Sequence, residues 1–154
     1  MTVYAVRHAK AGSRSSHDPD ERRPLTEKGR EQAEHIADVL EAAGIARILS
    51  SRYTRCVQTV EPLATRLGVS IEIHPALAEE AGIEDAWDLL EALSDTTAVV
   101  CSHGNILSPI LDRVHRRGAE IEAAEWSCHK GSVWRLEPDD DRPFARAVLD
   151  VVQA

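Results

Sequence analysis

The sequence predicts a layered α/β domain, and three observations carry that reading. Short β-rich apolar runs alternate with longer apolar runs at helical spacing. Glycines stand where the helical runs stop. A chain of 154 residues, 43% of them apolar, is long enough to bury a sizeable core as one domain spanning residues 1–154.

The first run, Val3 to Val6, is a strand that delivers Arg7 and His8 at its end. Lys10 to Arg23 is polar and charged, carries Gly12, three serines and Pro19, and reads as loop. Thr26 is placed to cap a helix with Glu27 in its first turn, and Ala33, Ile36, Ala37 and Leu40 recur at i, i+3, i+4, i+7 before Gly44 ends it. Ile45 to Leu49 is the second strand and finishes at Ser50 and Ser51. The next helix sets Cys56, Val57, Val60, Ala64 and Leu67 on one face, stops at Gly68, and has Pro62 inside it, which predicts a kink. Val69 to Ile73 is a third strand, and a helix around Glu84 to Leu93 uses Trp87, Leu90 and Leu93. Ala98 to Cys101 reads as a fully buried strand, followed at once by His103, Gly104 and Asn105 and by a helix with Ile106, Leu107, Ile110, Leu111 and Val114 at core spacing. Val133 to Leu136 and Phe144 to Leu149 close the chain as short strands, with Asp139 to Asp141 as a solvated turn.

The formal net charge is −8, which argues against a protein whose main role is to grip nucleic acid or anionic lipid through a general positive field. The charge is unevenly distributed. Residues 1–30 hold seven Lys and Arg against four Asp and Glu, leaving 11 basic against 22 acidic in the rest, so an acidic total hides a basic N-terminal stretch. No apolar run approaches the length of a membrane span, and the start of the chain lacks the basic-then-apolar order of a secretory signal, so a cytoplasmic protein is expected. The three cysteines, Cys56, Cys101 and Cys128, are far apart and form no CxxC pair. Neither Cys101 with His103 nor Cys128 with His129 has a further partner at metal-ligand spacing, and no metal is expected.

Two of the seven histidines stand apart. His8 and His103 each lie just past the carboxyl end of a strand, where open α/β sheets place their ligands. Arg7 precedes the first, and the helix opening at Asn105 turns free backbone N–H groups toward the second. Arg52 and Arg55 follow the second strand at the same edge; read alone they fit an amphipathic helix surface, but a guanidinium fork also matches a phosphate dianion. Two guanidiniums, two imidazoles and a helix N-terminus on one edge describe a phosphate pocket. His17, His35, His74, His115 and His129 read as incidental.

The motifs Arg7-His8-Ala9, Arg23-Pro24-Leu25-Thr26-Glu27-Lys28-Gly29-Arg30-Glu31-Gln32-Ala33, Ser50-Ser51-Arg52-Tyr53-Thr54-Arg55-Cys56-Val57-Gln58-Thr59 and Ser102-His103-Gly104 together resemble the histidine phosphatase superfamily. The resemblance implies a three-layer α/β/α sandwich with a mostly parallel central sheet, the phosphoglycerate-mutase-like fold. It implies that His8 attacks phosphorus and is transiently phosphorylated, and that Arg7, Arg55 and His103 bind phosphate, with Gly104 adding a backbone donor. Arg55 is preferred to Arg52 because the family arginine comes four residues after the second small residue ending the strand, here Ser51. A leaving oxygen needs a proton, and the family keeps an acid after the third strand, where this chain offers Glu79 and Glu80; spacing from Leu77 favours Glu79. Ala9 replaces the usual glycine, as in SixA-type phosphohistidine phosphatases, whereas Lys130-Gly131-Ser132-Val133-Trp134 with Glu61-Pro62-Leu63-Ala64 resembles the phosphatase domain that follows a Nudix domain in some MutT-like proteins.

The expected activity is therefore hydrolysis of a phosphate monoester, phosphoanhydride or phosphohistidine through a phosphohistidine on His8, without a cofactor. Lys10, Arg14, Arg23 and Lys130 are candidates for drawing in an anionic substrate, whether small molecule, nucleotide or phosphohistidine protein. Nucleic acid and membrane are not expected partners. The short chain argues against a mutase, whose insertions would shield the phosphoenzyme from water. The alternative is a non-catalytic phosphate-binding or protein-interaction module on the same fold.

Overall fold

The computed structural model describes residues 1–14 and 19–153; the reading of 15–18 as loop and of His17 as incidental lies outside the described residues. Seven strands form one sheet in the order β3-β2-β4-β1-β6-β7-β5: β1 Val3–Arg7, β2 Arg47–Ser50, β3 Ile71–Ile73, β4 Ala98–Ser102, β5 Glu120–Glu122, β6 Val133–Glu137 and β7 Arg146–Val151. Strands β3, β2, β4 and β1 run parallel, β6 is antiparallel to both of its neighbours, and β5 joins β7 in parallel at the edge, so the sheet is mostly parallel.

Period-two alternation assigns the two faces. Val3, Ala5 and Val100 pack with Trp87 and Leu90 of α3 (Ile83–Ala92) and with Ile106, Ile110 and Val114 of α4 (Gly104–Arg116). Tyr4, Val6, Val99 and Cys101 pack on the opposite face with Ile36 and Leu40 of α1 (Glu27–Leu40) and with Val60 and Leu63 of α2 (Thr54–Leu67). The result is the expected three-layer α/β/α sandwich.

Local signals explain most boundaries. The Thr26 hydroxyl accepts the Gly29 N–H at 3.1 Å as the N-cap of α1. Gly68 ends α2 in the left-handed region, at φ 65°. Helix α1 stops at Leu40, with Gly44 at φ 73° completing the turn into β2. Helix α2 continues through Pro62 to Leu67 as one element. The third strand begins only at Ile71 and the last is displaced to Arg146–Val151, while β5 is an addition: Glu-Ile-Glu offers one apolar residue to an edge position and no sequence signal marks it. No helix among the described residues is long and apolar enough to cross a membrane.

Candidate active site

The carboxyl ends of β1, β2 and β4 meet at one edge of the sheet. Residues Arg7 and Ser102 are paired in the parallel β1–β4 ladder, so the residues that follow them, His8 and His103, emerge side by side with ring centroids 5.5 Å apart. They line a cavity of ≈ 720 Å³ together with Arg7, Gly12, Arg14, Arg23, Glu79, Gly104, Asn105 and Lys130.

His8 is 5% exposed. Its Nδ1 lies 2.8 Å from the Ala9 carbonyl, which can only accept, so Nδ1 carries the proton and Nε2 keeps a free lone pair. Burial holds the imidazole uncharged, lowering its pKa from 6.5 to about 3; the Ala9 hydrogen bond acts in the opposite sense, and the charges of His103, Arg55 and Arg7 add to the lowering.

His103 is buried at the N-cap of α4. Its Nε2 is paired with Ser51 Oγ at 2.8 Å and lies 3.6 Å from Cys56 Sγ. Its Nδ1, buried without a hydrogen bond, lies 3.5 Å from a Glu79 carboxylate oxygen. A bare lone pair there would oppose the carboxylate oxygens, so Nδ1 is the natural bearer of a proton.

Arg7 donates from Nη1 to the Cys128 carbonyl at 2.7 Å, and its buried Nε has no partner. Its guanidinium lies against Gly104: a Cβ at that position would sit 2.8 Å from Arg7 Cζ, so only glycine permits the approach. The backbone N–H groups opening α4 lie at this point and face no intrahelical acceptor.

Arg55 is fully buried and does not line the cavity. Its guanidinium meets Glu79 Oε2 at 2.8 Å and both the carbonyl and carboxylate of Asp20, at 3.1 and 3.2 Å. A charge so enclosed requires such partners, and removing one costs about 3–5 kcal/mol. Arg52 instead lies exposed, paired with Glu21 and Glu80. Glu79 therefore sits between Arg55, His103 and the exposed Arg14, which reaches it at 3.4 Å, while Asn105 Nδ2 donates to its backbone carbonyl at 2.8 Å. Glu80 faces outward.

Of the remaining candidates, Arg23 is buried and held by Asp20 at 2.9 Å and the Gly12 carbonyl at 2.6 Å, with its edge on the cavity. Lys130 lines the cavity; Lys10 does not, although its charge acts on Lys130. Sequence reasoning missed Asp20, which joins Arg14, Arg23 and Arg55. Burial alone would raise its carboxyl, but Arg23, Arg55 and Arg14 together hold it below the usual aspartate range. The one available signal was an acid inside a stretch rich in arginine. The role of Ser51 as the partner of His103 was also unread.

A sheet of this order, with two imidazoles and a guanidinium without a carboxylate partner at the carboxyl edge of its parallel half, defines a phosphoglycerate-mutase-like α/β protein. The family model of the histidine phosphatase superfamily (branch 1) matches residues 3–86, just over half of the sequence, and the chain belongs to that superfamily. The chain is 34% identical over 145 residues to the 8-oxo-(d)GTP phosphatase of Mycolicibacterium smegmatis, a match that covers 90% of this chain and 45% of that protein. It is 36% identical over 83 residues to a protein named "Probable phosphoglycerate mutase GpmB" from Cronobacter sakazakii, covering 51% of this chain and 38% of the other. The chain thus spans less than half the length of these curated relatives. Among solved structures, the protein histidine phosphatase SixA complexed with tungstate superposes with a TM-score of 0.74 at 22% identity, over 98% of this chain and 95% of that one, a likeness of fold.

Proposed function

We propose that the chain is a phosphatase that works through a covalent phosphohistidine on His8. The observation that carries the reading is the state of that side chain: buried, uncharged, its Nδ1 proton committed to the Ala9 carbonyl, and its other nitrogen unprotonated in a polar cavity. A phosphoryl group bound there is attacked by Nε2, forming the N–P bond as the bond from phosphorus to the leaving oxygen breaks. Arg7, His103 Nδ1 and the N–H groups opening α4 supply donors to the phosphoryl oxygens, where charge stabilisation is the main need. Arg55 reaches this region through Glu79, which it holds in place.

Glu79 relays the proton: its carboxylate takes one from the bound phosphate monoanion and passes it to the departing oxygen. In the second half it takes a proton from water as that water attacks phosphorus, the N–P bond breaks, and phosphate leaves with His8 uncharged again. The name of the mycobacterial relative adds nucleotides to the substrates worth testing. The soluble cytoplasm is the compartment that fits a substrate of any of these kinds.

The decisive experiment is turnover of an aryl phosphate with acid-quench trapping of the phosphoenzyme. His8→Ala should lose about 10⁴-fold in kcat/KM and all trapped label, and a chelator should leave the wild-type rate unchanged. Undiminished turnover in His8→Ala would remove His8 as the nucleophile. Phosphate binding without turnover of any phosphate would favour a binding module.

A further inference from the structure

The cavity holds a cation that the phosphoryl-transfer step does not use. Lys130 lines it, and no described acidic residue is paired with it. Arg14 and Arg23 are balanced by Asp20 and Glu79, whereas Arg7 and Lys130 face the cavity without a carboxylate partner. The charges around Lys130 are those of Arg7, Arg23, Lys10 and Arg14, all of its own sign; after burial, they are what lowers its pKa from the usual lysine value.

Lys130 is exposed, and the backbone that carries it is held in place by its neighbours. The Gly131 N–H is shared between the carbonyls of Arg7 and His8, at 3.0 Å each, and the Arg7 N–H donates to Ser132 O at 3.2 Å. The turn closes with Ser132 N on His129 O at 3.0 Å, and Gly131 sits at φ +80°, where a Cβ would also press on Gln153 and Gln32. The segment that carries Lys130 is therefore joined to the backbone of the nucleophile itself. An exposed lysine on a fixed backbone, among cations and lining a cavity, gains by meeting an anion, and in the phosphatase reading Arg7 serves the transferred phosphoryl.

We infer that Lys130 forms a second anion subsite, so that preferred substrates carry a second anionic group close to the transferred phosphoryl. Two sources share that chemistry: the linked phosphate of a phosphoanhydride such as a nucleoside diphosphate, and the carboxylate of a phosphorylated hydroxy acid. The inference rests on the phosphatase reading and names its substrate class. A single charge-assisted contact corresponds to about a tenfold preference.

The test that does not depend on turnover is calorimetry with orthophosphate and with non-hydrolysable methylenediphosphonate. The wild type should bind the diphosphonate about tenfold more tightly, Lys130→Met should erase that preference, and Lys130→Arg should keep most of it. Equal weakening of both anions, or no change, overturns the subsite. Turnover then separates the sources: with a nucleoside diphosphate and a phosphorylated hydroxy acid each referred to an aryl phosphate, Lys130→Met should raise KM selectively for the physiological class. A Lys130-dependent preference in a protein that hydrolyses no phosphate would sink the phosphatase reading and leave the subsite standing. His8-dependent turnover without that preference would do the reverse.

Discussion

His8 and His103 begin from equivalent positions, one residue beyond adjacent parallel strands, and the fold makes them opposites. The first donates its Nδ1 proton to the backbone next to it and presents a lone pair to the cavity. The second is tied through Nε2 to Ser51 on a different strand end and presents Nδ1 beside a carboxylate. One ring is set by its own chain, the other by a side chain more than fifty residues away in sequence. Identical residues at matched positions thus present a lone pair and a hydrogen-bond donor, and the difference lies in which nitrogen is already occupied.

After the loss of His8 itself, the contrast is broken most severely at His103. Replacing it with alanine should lower kcat by about 10²–10³-fold, the cost of a lost donor to transition-state charge, while the phosphoenzyme still forms on His8; a trapped label that disappears altogether would contradict the division of roles. Glu79→Gln should follow, with a loss of about 10²-fold for an alkyl phosphate and a much smaller one for a nitrophenyl phosphate, whose leaving group needs no proton. Equal losses on both would make Glu79 a structural partner of Arg55 alone.

The smallest effect is on stability. Because the folded-state pKa of His8 is about 3 and its ordinary value 6.5, the unfolded chain binds a proton between those limits that the folded chain does not. Stability from this group is complete above about pH 6.5 and falls as the pH drops toward about 3, by about 1.4 kcal/mol per pH unit. Urea midpoints compared at neutral pH and near pH 5 should therefore decline less steeply in His8→Ala than in the wild type. The same shift predicts that the acid limb of the rate profile does not reflect His8 at its ordinary pKa.

Much of this arrangement was legible in the sequence because it is written in local patterns. The short apolar runs in Val3–Arg7 and Ala98–Ser102, the Thr26 cap and the apolar face of α4 each depend on residues within a turn or two of one another. The same holds for the histidines, whose placement follows from where their strands end. Resemblance separated Arg55 from Arg52, and the structure buries the first while leaving the second at the surface. What stayed hidden depends on distance. Asp20 gains its three arginines, and Ser51 its imidazole, only when separate strand ends converge. The edge strand β5 had no chance of detection, because one isoleucine between two glutamates reads as loop until β7 lies beside it.

Strand β1 lies at the seam of the sheet, parallel to β4 on one side and antiparallel to β6 on the other. Its last residues are bonded from both flanks, His8 N to Ser102 O and Gly131 N to His8 O. His8 is consequently mounted on the part of the chain bonded on both sides within the sheet, whereas Gly12 and Arg14, which also line the cavity, belong to the connection between β1 and α1 outside it. The placement of His8 and the lining contributed by that connection are thus separable for evolution: exchanges at Gly12 or Arg14 can reshape the cavity while His8 keeps its position.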